Sequence, residues 1–125
     1  MTSKRHRIVH QSVAEIIDHC LQGSNDIHVV VGPLCWQPND SGGKDWYVIV
    51  ATSGAEDGFR HDQIVVPDGD PSYRAAVFRE LCQRRPLVIH DCDDELYMAR
   101  LCETLWPSER ITDLRKAIER ERGLV

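Results

Sequence analysis

The sequence predicts an α+β fold in which helices pack on a mostly antiparallel sheet. Three observations predict it. A capped, one-sided helical pattern near the start is followed by runs of strand-forming residues, not by strictly alternating strands and helices. The two strongest runs are divided by a turn-forming cluster. One short apolar run then separates the later helices. The resulting order is (β)αββ(β)αβαα, in a single domain over residues 1–125.

Ser12-Val-Ala-Glu15 has the form of a capping box, in which the serine oxygen and the glutamate each satisfy an orphan backbone amide. Val13, Ile16, Ile17, Cys20 and Leu21 then fall on one helical stripe, and Gly23 supplies a C-terminal stop. A helix over about 12–22 follows. Ile27–Val31 and Trp46–Val50 are rich in β-branched and aromatic residues, and their apolar character on intervening positions suggests central strands covered on both faces. Gln37-Pro-Asn-Asp-Ser-Gly-Gly43 lies between them and predicts a hairpin whose first strand runs on to Trp36. Thr52–Arg60 reads as a polar loop, and Gln63–Val66 as a short edge strand closed by Pro67. Asp70-Pro71 opens a helix with Val77, Phe78, Leu81 and Cys82 inward, and Pro86 stops it. Leu87–His90 is a short strand. Helices follow over about 93–105 and 109–122, the second capped by Ser108 and lying within a C-terminal segment, 108–125. The elements are read as helices on one face of the sheet.

Residues 1–10 are read as either a mobile arm or an edge strand. A strand there would complete a ferredoxin-like βαββαβ core with a helical C-terminal extension. Without it the order is αβββαβα. That order, with the small size and acidity, looks like type III secretion chaperones in architecture alone, and architecture assigns no function.

Composition narrows the function classes. The net charge of −5 argues against a nucleic-acid binder, which presents a basic face. No apolar run approaches the roughly 18 residues of a membrane span. The basic N-terminus, with Lys4, Arg5 and Arg7, has no apolar stretch behind it and reads as no signal peptide. Five cysteines, an odd number without a Cys-x-x-Cys pair, suggest a reduced, cytoplasmic protein. No phosphate-binding glycine loop, zinc-protease helix or nucleophile-elbow motif occurs, so no cofactor is expected.

Four places could carry chemistry. His90-Asp91-Cys92-Asp93-Asp94-Glu95 lies at a strand-to-helix junction and is the densest ionisable group in the chain. Its catalytic reading makes Cys92 a nucleophile with His90 as base, and Asp91 and Asp94 as acid-base groups. Two facts oppose it. Neighbouring carboxylates raise a thiol pKa, and alternate strand residues sit about 6–7 Å apart. Its structural reading has acids capping a helix N-terminus. The stretch Gly54–Asp70, with His61 and Asp62, could be a lid or partner-binding loop. Trp36 and Trp46 mark a binding surface if exposed and fill the core if buried, and burial is favoured. His6 and His10 have metal-ligand spacing but no helical stripe, so no metal site is expected.

The sequence therefore supports a small cytoplasmic protein-binding or regulatory domain without evident catalytic machinery. A protein partner, basic by complementarity to the acidic chain, and a homodimer are the expected associations. The thin apolar stripe of the C-terminal helix is a candidate surface for either. The alternative is an enzyme or small-ligand module at the 90–95 junction.

Overall fold

The structure, a computed structural model, describes residues 12–24, 26–54 and 58–124. Its elements are α1 (Val13–Leu21), β1 (His28–Pro38), β2 (Lys44–Gly54), β3 (Gly58–Val65), α2 (Pro71–Cys82), β4 (Val88–Asp91), α3 (Glu95–Leu105) and α4 (Glu109–Glu121), with a 3-10 turn at Pro67–Gly69. This is the expected α+β fold. Among the described residues the order is αβββαβαα. The strand expected within residues 4–10, and with it the ferredoxin-like variant, lies outside the described residues.

Four strands form one sheet in the order β3-β2-β1-β4. The β1–β2 and β2–β3 pairs are antiparallel, and β4 lies parallel to β1. Period-two alternation divides the central strands between two cores. Val29, Val31, Val48 and Val50 pack with Ile17, Leu21, Val77 and Leu81, which places α1 and α2 on one face. Val30 and Ala51 pack with Met98, Cys102, Trp106 and Ile111, which places α3 and α4 on the other. The expectation of helices on one face is therefore corrected. The continuous apolar runs of β1 and β2 required covering on both sides.

Local signals explain most boundaries. Ser12 Oγ accepts from the Glu15 amide at 3.2 Å, and the Glu15 carboxylate accepts from the Ser12 amide at 3.3 Å. Asn39 Oδ1 closes the β1–β2 turn by accepting from the amides of Ser41 and Gly43, at 3.0 and 2.9 Å. Asp70 caps α2 through the Ser72 amide. The 3-10 turn then lies against Trp46. Gly69 has φ +65°, and a Cβ there would fall 2.8 Å from the indole ring, so only glycine satisfies both the backbone and the packing.

Of the segment read as a polar loop, Thr52–Arg60, the described residues are strand: Thr52, Ser53 and Gly54 of β2 pair with Arg60, Phe59 and Gly58 of β3. Its polar residues hid the strand because their work is specific. Arg60 donates to the carbonyls of Gln22 and His19, at 2.6 and 2.7 Å, and so satisfies the C-terminal end of α1. Asp62 pairs with Arg60 at 3.3 Å.

The C-terminal helix α4 is fastened to α3. Glu119, only 9% exposed, accepts from Arg100 at 3.1 Å and from Arg115 at 2.8 Å, and Arg115 donates in turn to Glu103 at 2.7 Å.

Candidate functional site

The junction residues are held by separate partners. Cys92 is fully buried in the core beneath α3. Burial, reinforced by the Asp91 charge, pushes its thiol up to about 11. His90 turns to another histidine: a ring N–H shared between His28 Nδ1 and His90 Nε2 spans 2.9 Å. Burial, then the neighbouring His28, holds His90 below the usual imidazole pKa. His28 approaches from β1, and its backbone amide donates to Asp26, which also accepts from the Trp106 indole N–H at 2.7 Å. Those two hydrogen bonds, the indole first, hold the Asp26 carboxyl below its ordinary range.

Asp91 and Asp94 have structural partners. Asp94 caps α3 by accepting from the Tyr97 amide at 3.0 Å, and both its oxygens meet the Arg122 guanidinium, at 2.8 and 3.2 Å. These contacts, Arg122 first, lower its carboxyl pKa. Asp91 pairs with Arg74 at 2.7 Å. The Cys35 thiol donates to Glu95 at 3.5 Å. Asp93 is exposed.

Arg74 was not singled out from the sequence, yet it organises this end of the sheet. It reaches from α2 to the carbonyls of Gly32 at 2.9 Å and Cys92 at 3.2 Å, besides Asp91. The carboxyl ends of parallel strands are where open sheets commonly place ligands. Here the guanidinium occupies the point where β4 ends beside β1. The β1 bulge between Val31 and Leu34 turns the Gly32 carbonyl toward it. No sequence motif marks such a residue.

His61 and Asp62 lie on β3 instead of on a lid. His61 stacks on Phe59, with ring centroids 5.4 Å apart, and its pKa falls through burial and the nearby Arg110. Asp62 faces α1, where it meets Arg60 and His19. Neither approaches the junction as a partner of Cys92.

The tryptophans do come together. Trp36 and Trp46 are cross-strand partners near the hairpin tip. Lys44 Nζ lies 4.3 Å from the Trp36 ring centre and 5.7 Å from that of Trp46. Trp46 is partly buried beneath the 3-10 turn, but Trp36 is 49% exposed, against the expected burial. The reason is length. β1 and β2 continue beyond the ends of the helices, so their distal halves lose cover.

An open groove of about 1120 Å³ results where β2 outruns β3. Trp46, Tyr47 and Val65 supply its apolar walls, while Asp40, Asp45 and Asp68 oppose the single cation Lys44. The alternating pattern around Trp46 could have indicated its two-sidedness. The approach of Pro67–Asp68 to the hairpin tip could not have been read.

Among the described residues, no group of three or more His, Cys, Asp or Glu side chains is placed to hold a metal ion. His6 and His10 lie outside those residues. Nor is any described helix long and apolar enough to cross a membrane. No family model, curated protein or solved structure matches the chain.

Proposed function

We propose that this is a small protein-binding or regulatory domain, and that the groove at the distal corner of the sheet receives a basic segment of a partner protein. The observation that carries this reading is the composition of the groove: aromatic and aliphatic walls beside three carboxylates and one ammonium. Aromatic anchors beside a charged rim are the usual makings of a protein-recognition surface. A cationic partner matches the acids locally and the net charge of −5 globally. The catalytic alternative has no comparable support. Its proposed nucleophile is buried, and its proposed base is bonded to His28.

The test is a titration of the isotopically labelled chain with a panel of lysine- and arginine-containing decapeptides and their glutamate counterparts. Basic peptides should shift the indole resonance of Trp46 and the amide resonances of Trp46 and Tyr47, with affinity falling as salt rises. Asp45→Lys should weaken them. Shifts centred on His90–Glu95, equal binding of acidic peptides, or no binding across the panel would each overturn the proposal.

A further inference from the structure

The outer edge of β3 presents backbone groups that no described residue satisfies. The Val66 amide donates to the Trp46 carbonyl at 2.9 Å, and Trp46 and Val66 are directly opposite in the antiparallel register. Residues at even positions of β3 therefore bond to β2, and the amides and carbonyls of Phe59, His61, Gln63 and Val65 point outward. Phe59 confirms the parity, because its outward carbonyl is taken by the Arg110 guanidinium. Beyond it, His61, Gln63 and Val65 form an exposed row. No proline or bulge interrupts Gly58–Val65, and its two charged residues, Arg60 and Asp62, are engaged with α1 and with each other.

We propose that this edge pairs with β3 of a second copy of the chain, antiparallel and centred on Gln63, so that two sheets become one. The edge is self-complementary about that residue. Arg110 closes it at Phe59, four residues before Gln63, and Pro67, which lacks an N–H, ends it four residues after. In a twofold arrangement those two stops face each other. Between them His61 lies opposite the partner's Val65, and Gln63 opposite the partner's Gln63. Two hydrogen bonds at each of three such pairs give about six in all. On the other face Asp62 lies opposite the partner's Ile64, so no like charges stand directly opposed. The edge shares Gln63 and Val65 with the groove wall, so the two proposals are separated by their readouts: association of the chain without peptide tests the pairing, and peptide shifts at Trp46 and Tyr47 test the groove.

Sedimentation of the full chain from micromolar to millimolar concentration tests it. The mass should rise from 14.3 kDa to twice that value, while amide exchange at His61, Gln63 and Val65 slows. Gln63→Glu and Gln63→Lys each place like charges across the twofold axis and should each raise the dissociation constant about tenfold. An equimolar mixture of the two variants should restore association, as a heterodimer. A wild-type chain that stays monomeric to millimolar concentration overturns the inference. So does a Gln63→Glu variant that associates as tightly as wild type, or a mixture that associates no better than either variant alone.

Discussion

Cys92 and His90 are two positions apart in sequence, yet their surroundings differ sharply. The thiol is enclosed by apolar atoms and raised to about 11, whereas the imidazole is lowered toward the neutral form by burial and by His28. At pH 7 the native chain should react with iodoacetamide first at the exposed Cys82, with Cys92 unmodified until the protein unfolds, as peptide mapping would report. The histidines also set an acid limit. Above the unfolded-state value of 6.5, His61 and His90 are neutral in both states and their contribution to stability is whole. As pH falls through 6.5 the unfolded chain binds protons that the folded chain binds only lower, so stability declines. Urea unfolding at about pH 7 and about pH 5 should record that decline, and His90→Gln should lessen it. A second loss begins near 3.8, where Asp26 and Asp94, with lowered folded values, protonate first in the unfolded chain.

At the level of elements, α2 is tied to the sheet by one side chain. Arg74 joins carbonyls from β1 and from the residue after β4, and is itself mostly covered, at 20% exposure, whereas its partner Asp91 is 64% exposed. Arg74→Met should therefore cost about 1–3 kcal/mol in urea unfolding, because buried carbonyls lose their donor. Asp91→Asn should cost no more than about 1 kcal/mol, as for other solvent-exposed pairs. Equal losses from the two substitutions would mean that the ion pair, not the carbonyl contacts, holds the junction. The acids beside Asp91 were legible as capping residues from their place ahead of a helical stripe, and Asp94 takes that role. Arg74 was not legible, because its partners lie between 17 and 43 residues away and follow no local spacing.

For the molecule as a whole, the central strands lie between two helical layers, and this arrangement orders local stability. Hydrogen exchange should be slowest at Val29–Val31 and Val48–Ala51, which are enclosed on both faces, and fast at Trp36–Pro38 beyond the helices. Comparable exchange at the two ends of β1 would contradict this. The helices, the first hairpin and the short fourth strand are legible in the sequence because each has a local cause: a cap, a turn, a proline or an apolar period. Most of β3 is hidden there because Arg60 and Asp62 break the apolar alternation, and their partners at α1 are distant in sequence.

Local chemistry thus determined the α+β class, the helix caps and the strand-forming runs of β1 and β2, since these depend on residues within one or two turns of each other. Only tertiary structure decided that β4 joins β1 in parallel, that His90 meets His28 and that Trp36 stays exposed. Those outcomes turn on contacts between residues 60 or more apart, or on where a helix ends relative to a strand, and no short-range pattern encodes either.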